Sequence, residues 1–145
     1  MSGAQVRELT LRIYREIFEG GNLDVANELI ASDCVDISPR LPAGLDRRGS
    51  EPIKYEVSLL HDAFPDLNIR VREVLVDGES AVCRMTFEGL HEGSMKDMSP
   101  TGKWIAWDAL DVLKFRGGMV RERYSLWDEA GLVHQMKTKD AAWAL

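Results

Sequence analysis

The residues best placed to do chemistry lie in two predicted strands late in the chain. In residues 102–116, Asp111 is the single carboxylate on a face that is otherwise apolar, since alternate side chains of a strand share a face. Its neighbours on that face are Ile105, Trp107, Ala109, Leu113 and Phe115. Such surroundings raise a carboxyl pKa and suit a general acid or base. The alternative is a structural ion pair between Asp111 and Arg123 or Arg84.

The last predicted strand, residues 118–128, has no plainly apolar face. One of its faces carries Arg121, Arg123, Ser125 and Trp127, and the other carries Val120, Glu122, Tyr124 and Leu126. This mixture is typical of the wall of a polar cavity. We therefore take Asp111 and Arg123 as candidate catalytic residues, and Tyr124, Ser125 and Trp127 as candidates for binding substrate.

Two further polar residues have a functional and an ordinary interpretation. Arg84, in the predicted strand 79–90, faces either the cavity, where it would bind a carboxylate or enolate oxygen, or the solvent. His91 begins the loop 91–101 and is a candidate proton shuttle near neutral pH, or a solvated loop residue.

Aromatic side chains complete the candidate site. Tyr14, Phe18, Trp107, Tyr124 and Trp127 suit a planar ligand, although aromatic residues also fill ordinary cores. Tyr55, on the third predicted helix, is included with them as a substrate-binding candidate.

The predicted elements that must position these residues begin with helices and continue with strands. Helical periodicity is present in 5–19, in 23–31 and from Ser50 to Phe64, and strand patterns follow in 67–77, 79–90, 102–116 and 118–128. This order predicts an α+β fold in one domain spanning 1–145. We expect a strongly curved antiparallel sheet capped by three N-terminal helices, giving a cone with an apolar cavity.

Composition excludes several classes of function. The 18 Lys and Arg are scattered among 24 Asp and Glu, for a net charge of −6, which argues against nucleic-acid binding. No apolar run reaches the roughly 20 residues of a membrane span, and the first residues do not resemble a signal peptide, so we expect a cytoplasmic protein. The two cysteines and three histidines show no metal-ligand spacing, and phosphate-binding and serine-hydrolase motifs are absent.

Most of the chain, from about Tyr14 to Met136, resembles the SnoaL-like polyketide cyclases. The resemblance is carried by four pieces in order: "FPDL" (64–67), "RMTFEGLHEG" (84–93), "PTGK" (100–103) and a closing strand followed by Asp128. It implies the cone-shaped α+β fold of nuclear transport factor two-like proteins. It also implies an intramolecular aldol closure without cofactor or metal, which needs proton removal beside carbonyl groups and stabilisation of an enolate.

The chain departs from the family pattern at its expected proton carriers. The closing strand of the family usually reads Glu-His-Trp-Asp, and here it reads Glu122-Arg123-Tyr124-Ser125. Ser125 thus occupies the position of the acid/base Asp. Ile37 stands where many members have a His, and we include it among the substrate-binding candidates.

Three interpretations follow. In the first, Asp111 has taken over as the acid/base, and Arg123 holds the enolate or lowers its pKa. Alternatively, shape alone steers a pericyclic or dehydrative closure, or the protein binds a small hydrophobic molecule without catalysis. We favour a cyclase or isomerase of secondary metabolism acting on a polyketide-like substrate. We also expect a homodimer, formed through the open face of the sheet that carries Trp104, Leu110 and Val112.

Overall fold

The computed structural model describes residues 1–138. The helices are α1 (Gly3–Arg12), α2 (Leu23–Leu29), α3 (Glu51–Ala63) and α4 (Glu129–Lys137), and a π-helical stretch (Ile13–Glu19) continues α1. The strands are β1 (Ile30–Asp36), β2 (Asn68–Asp77), β3 (Ser80–Leu90), β4 (Trp104–Arg116) and β5 (Met119–Trp127). The predicted α+β class is confirmed, and each predicted helix and strand is present within a few residues of its expected bounds.

The five strands form one open sheet in the order β1-β5-β4-β3-β2. The strands β2 to β5 make an antiparallel meander, as the sequence predicts. The short β1 adds a parallel neighbour to β5, with Val35 opposite Glu122, so the sheet is mixed. Because β1 lies before α3 and β5 lies near the end, this pairing brings the beginning and the end of the fold together.

Glycines set the two tight turns of the meander. Gly78 joins β2 to β3 with φ of +59°, and Gly117 and Gly118 join β4 to β5 with φ of +63° and +79°. Two-residue hairpin turns require this left-handed backbone, which glycine adopts without a steric penalty. The turns fix the register that places Asp111 directly opposite Ser125.

One face of the sheet is buried under the helices, and the odd-numbered residues of β4 lie on it. Asp111 is 1% exposed, and its apolar neighbours on that face are equally covered, so the predicted alternation is confirmed. The helical layer supplies Ile13, Ile17, Phe18, Ile53 and Leu60 to the same core. At the β2 edge, Arg7 donates to the Val74 carbonyl at 3.0 Å, which fixes α1 against the sheet.

The other face of the sheet carries exposed apolar side chains. Trp104, Leu110 and Leu126 are 55%, 41% and 41% exposed. The pairing of two chains through this face stays a prediction. Between Met1 and Thr138 no helix combines the length and the apolar character needed to cross a membrane.

A side-chain amide docks α4 onto the sheet. Beyond Trp127, β5 ends and leaves the backbone of Ala106 without a strand partner on that side. Gln135, which is buried, fills the gap: its amide oxygen accepts from the Ala106 N–H at 3.1 Å and its amide nitrogen donates to the Ala106 carbonyl at 2.7 Å. Lys103 donates to the Gln135 carbonyl at 3.0 Å. These bonds hold α4 as one wall of a pocket.

Candidate active site

A buried arginine gathers three carboxyl groups from three separate elements. Arg123 of β5 is 1% exposed, and its Nη1 lies 2.8 Å from Asp36 Oδ2 and 2.8 Å from Glu56 Oε1. Its Nη2 lies 3.2 Å from Glu56 Oε2 and 3.6 Å from Asp111 Oδ2. The guanidinium thus meets Glu56 through both nitrogens, the fork geometry that gives arginine–carboxylate pairs their strength.

A second arginine links this cluster to the surface. Arg40, in the loop after β1, places Nη2 2.6 Å from Glu56 Oε2 and 3.3 Å from Ser125 Oγ. Its guanidinium carbon lies 3.7 Å from the centre of the Trp127 ring, a cation–π contact. The Arg40 side chain is 12% exposed, while Glu56 is completely buried, so Arg40 lies between the cluster and solvent.

Asp111 accepts the fewest hydrogen bonds of the three carboxyl groups. Its Oδ2 accepts the Tyr14 hydroxyl at 2.5 Å, while its Oδ1 is buried without a hydrogen-bond partner. Asp36, by contrast, accepts from the Ser38 backbone and hydroxyl as well as from Arg123. An ionised carboxylate with an unpaired buried oxygen is costly, so this geometry favours the neutral form of Asp111.

The pKa shifts agree with that geometry. Burial raises the pKa of Asp111, and this outweighs the lowering by Arg123 and by the hydroxyls of Ser125 and Tyr14. Burial alone would also raise the pKa of Glu56, but Arg123 and Arg40 overcome it and lower the value. Three carboxyl groups here share two guanidinium groups. The cluster is therefore neutral when Asp111 carries a proton.

Two serines fix the strand that carries Arg123. Ser38 Oγ donates to Asp36 Oδ1 at 2.5 Å and accepts the Ser125 backbone N–H at 2.9 Å. The Ile37 backbone N–H donates to the Arg123 carbonyl at 2.9 Å. The end of β1 is thereby joined to β5. The Ser125 hydroxyl accepts from Arg40, and Ser125 lies opposite Asp111 on the neighbouring strand.

An apolar pocket of about 240 Å³ opens beside this cluster. It lies between α3, the turn 95–98 and α4, and Arg40 and Trp127 form its inner wall. Most of its lining is apolar or aromatic, contributed by Tyr55, Leu59, Met95, Met98, Leu132, Val133 and Met136. Such a lining with a few convergent polar groups is typical of a small-molecule site.

The structure brings several predicted site residues together. Tyr14, Asp111, Arg123 and Ser125 belong to the buried cluster, and the Phe18 ring lies 5.5 Å from the Arg123 guanidinium carbon. Tyr55 and Trp127 line the pocket. Asp111 and Arg123 do not line it, so the cluster meets the pocket only through its Arg40 side.

Three predicted substrate-binding residues lie away from both cluster and pocket. Arg84 and Tyr124 occupy the face of the sheet that turns away from the helices, where Arg84 pairs with Glu73 at 3.1 Å. Ile37 is 47% exposed, just after the end of β1. Arg84 lies outside because the even-numbered residues of β3 point opposite to Cys83 and Met85.

His91 is neither a mouth residue nor a solvated one. It is completely buried, its Nδ1 lies 3.0 Å from Thr101 Oγ1, and its ring lies 5.4 Å from the Phe64 ring. Burial lowers the pKa of this imidazole. The His91 backbone N–H donates to the Lys103 carbonyl, just before β4 begins. His91 therefore lies eight residues beyond Cys83, the β3 residue opposite Asp111. The structure therefore does not bring His91 to the acidic cluster.

Trp107 belongs to a group of packed aromatic rings. It packs against Phe64, Phe87 and Trp127 with ring centres 5.1 to 5.5 Å apart. It is 3% exposed, and its indole N–H is buried without a partner. It forms part of the aromatic packing behind the pocket, which agrees with the alternative interpretation of these aromatic residues as core filling.

Sequence reasoning missed Asp36, Glu56 and Arg40. Glu56 carried a usable signal, because it lies three residues after Ile53 and four before Leu60, within the apolar stripe of α3. Arg40 gave no signal, since an arginine in a polar loop is usually solvated. Within residues 1–138, no group of three or more His, Cys, Asp or Glu could hold a metal ion. The three carboxyl groups instead surround Arg123.

Comparison with known proteins identifies the family. The model of the SnoaL-like polyketide cyclases matches residues 8–136, so the chain belongs to that family. The search of curated proteins finds no match.

Solved structures share the fold at low identity. TsrD from Streptomyces laurentii superposes with a TM-score of 0.82 at 20% identity, covering 94% of this chain and 98% of that one. IdmH from Streptomyces antibioticus, a candidate polyketide cyclase, gives 0.79 at 24% identity, covering 92% and 99%. A SnoaL-like polyketide cyclase from Agrobacterium tumefaciens gives 0.72 at 14% identity, covering 94% and 99%.

Proposed function

We propose that the protein is a cofactor-independent cyclase that closes a ring in a polyketide-like hydrophobic substrate by acid/base chemistry. Family membership supports the reaction class, and the apolar pocket supports the class of substrate. The observation that carries the acid/base role is the charge balance of the cluster: three carboxyl groups face two guanidinium groups, and Asp111, whose Oδ1 is buried without a partner, has its pKa raised by burial.

In this proposal Asp111 exchanges a proton with the pocket through Ser125. Asp111 and Ser125 lie directly opposite each other on neighbouring strands, and the Ser125 hydroxyl touches Arg40, which lines the pocket. Asp111 first releases its own proton to solvent through Ser125. The carboxylate then accepts the proton from the carbon between two carbonyl groups, and the resulting enolate forms the new carbon–carbon bond. The neutral carboxyl group then returns the proton to the alkoxide. A raised pKa makes the ionised Asp111 a stronger base.

Arg123 has a positioning role. It touches Asp111 at 3.6 Å but is buried beneath the pocket wall. By pairing with Glu56 it lowers the pKa of that carboxyl group, whereas burial raises the pKa of Asp111. The pairs of Arg123 with Asp36 and Glu56 fix the orientation of β5, which carries Ser125 and Trp127.

The experiment is proton exchange at a model substrate. Ethyl benzoylacetate in heavy water is followed by proton NMR, with wild-type protein, with Asp111→Asn, and with Asp108→Asn as the matched control. Asp108 lies on the same strand but on the exposed face. We expect Asp111→Asn to reduce the protein-catalysed exchange by about 100-fold or more, and Asp108→Asn to leave it unchanged.

One observation favours a second candidate, a non-catalytic protein that binds a hydrophobic small molecule. Asp111, Arg123 and Ser125 are absent from the lining of the pocket, whose lining residues are mainly apolar. Wild-type protein that binds aromatic ligands but gives exchange no faster than buffer would select this candidate. Exchange that survives Asp111→Asn at the wild-type rate would exclude Asp111 as the acid/base.

A further inference from the structure

We propose that Arg40 and Trp127 form an oxyanion subsite at the inner wall of the pocket, so that the ligand is a planar apolar molecule carrying one anionic oxygen group. This inference rests on the proposed function for the identity of the site, and it adds the chemical class of the ligand and the residues that recognise it.

The hydrogen bonds of Arg40 leave most of its guanidinium unused. Within residues 1–138 both of its bonds are made by Nη2, to Glu56 and to Ser125. Its Nε is buried without any partner, and Nη1 makes no hydrogen bond to the protein. A guanidinium has five N–H donors, and a buried donor without a partner costs free energy. These donors without protein partners are therefore available to a carboxylate or enolate oxygen.

Trp127 supplies a second unpaired donor from the same wall. Its ring lies flat against the Arg40 guanidinium at 3.7 Å, and its indole Nε1 is buried without a partner. Both side chains line the pocket. The ring is held edge-on by Phe87 and tilted against Trp107, with centres 5.8 and 5.5 Å away. Two side chains in contact at the pocket wall thus each carry a buried N–H without a partner, the kind of donor that stabilises a developing oxyanion.

The rest of the pocket defines the body of the ligand. Across from Arg40 the lining is made of Leu59, Met95, Met98, Leu132 and Met136, which are flexible or apolar side chains suited to a flat hydrocarbon surface. The charged residues of the pocket, Lys96, Asp97, Glu129 and Lys137, are exposed. Arg40, at 12% side-chain exposure, is thus the cation that a bound anion would meet away from bulk water.

The electrostatic balance permits the extra anion. With Asp111 protonated, the negative charges of Asp36 and Glu56 balance the positive charges of Arg40 and Arg123. The cluster then has no net charge that would repel a bound anion. An enolate formed in the pocket would place its charge beside the Arg40 guanidinium, which lines the pocket.

The experiment compares an anion with its neutral ester. Naphthoate and methyl naphthoate are titrated by isothermal calorimetry into wild-type protein, Arg40→Met and Lys96→Met, with thermal melting to confirm folding. We expect wild-type protein to bind naphthoate at least tenfold more tightly than the ester, a difference of about 1.4 kcal/mol. Arg40→Met removes that preference while keeping ester binding, because Glu56 retains Arg123. Lys96→Met removes one exposed charge from the same pocket and retains the preference.

The outcomes separate this inference from the proposed function. A wild-type preference below tenfold, or a preference that Arg40→Met leaves intact, overturns the subsite whether or not proton exchange is seen. A preference lost in Arg40→Met supports the subsite even in a protein that catalyses no exchange. If Arg40→Met does not fold, Trp127→Phe keeps an aromatic platform and removes only the indole donor. It should weaken naphthoate binding more than ester binding, and equal weakening of both would contradict the inference.

Discussion

Arg123 and Glu56 meet through two parallel contacts, Nη1 to Oε1 at 2.8 Å and Nη2 to Oε2 at 3.2 Å, and neither side chain reaches solvent. The two residues lie 67 positions apart in sequence, on β5 and α3. Their pairing joins the helical layer to the sheet, and it also sets which carboxyl group of the cluster is left to titrate.

Glu56→Gln should destabilise the fold strongly. It leaves the buried Arg123 without its bidentate partner and deprives Arg40 of its ion pair. Removing one partner of a buried ion pair typically costs about 3–5 kcal/mol. Chemical denaturation with urea would measure the loss in free energy of unfolding. Glu122→Gln is the matched control, because Glu122 pairs with Lys114 on the surface, and its loss should cost about 1 kcal/mol or less.

The stability of the wild-type protein should fall as pH rises through the raised pKa of Asp111. The folded state binds this proton more tightly than the unfolded state, so the contribution is complete below the unfolded pKa and is lost above the folded one. Asp111→Asn cannot lose a proton and should flatten this part of the profile. Urea denaturation from about pH 2 to about pH 9 measures both curves.

The opposite sign applies to Glu56 in the same experiment. Its pKa is lowered, so its contribution is lost as pH falls below the ordinary value of 4.5. Wild type and Asp111→Asn should therefore both lose stability at acid pH, because both retain Glu56. If the free energy of unfolding of Asp111→Asn still falls with rising pH as it does in wild type, another group is responsible for the decline.

Ser125→Ala should slow proton exchange and move its pH profile to higher values. The Ser125 hydroxyl lowers the pKa of Asp111, so its removal leaves the carboxyl group with a still higher pKa. It also removes the proposed path between Asp111 and the pocket. We expect a loss of about tenfold or more in exchange rate, measured by NMR as a function of pH.

Ser99→Ala is the control for that variant, because Ser99 is exposed in the loop before β4. It should leave both rate and pH profile unchanged. A Ser125→Ala protein with the wild-type rate and profile would mean that Asp111 does not exchange its proton through Ser125.

Gln135→Ala should loosen α4 and weaken ligand binding together. The variant leaves the N–H and carbonyl of Ala106 without their partner, at a cost of about 1–3 kcal/mol. Amide hydrogen exchange should then speed up in α4 before it does so in the sheet. Ala130→Ser, at an exposed position of the same helix that does not line the pocket, should change neither. Protection of α4 that stays at the wild-type level in Gln135→Ala would show that other contacts hold the helix.

The fold was largely predictable because the periodicities are strong and local. The alternation in β4 correctly placed Asp111 on the buried face, and the glycine turns marked the hairpins. The parallel pairing of β1 was not predictable, since nothing in residues 30–36 indicates which strand they will join. Whether a long-range strand pair is parallel or antiparallel depends on the packing of the whole layer and not on the strand itself.

The site was only half predictable for the same reason. Asp111, Arg123, Ser125 and Tyr14 stand out because each interrupts an apolar pattern or occupies a position in the family motif. Arg40 lies in a loop, where composition does not distinguish a solvated arginine from a buried one. Arg84 and Tyr124 looked equivalent to Arg123 and Ser125 until the face of each strand was known.

The parallel pairing of β1 with β5 has a consequence for the order of assembly. Asp36, Glu56 and Asp111 all precede Arg123 in the chain, so during synthesis the three acids emerge before the cation that permits their burial. A chain that ends before β5 would have to keep these groups in water, which holds the helical layer away from the sheet. We therefore expect the helical layer to pack against the sheet at this site only after β5 has joined the sheet.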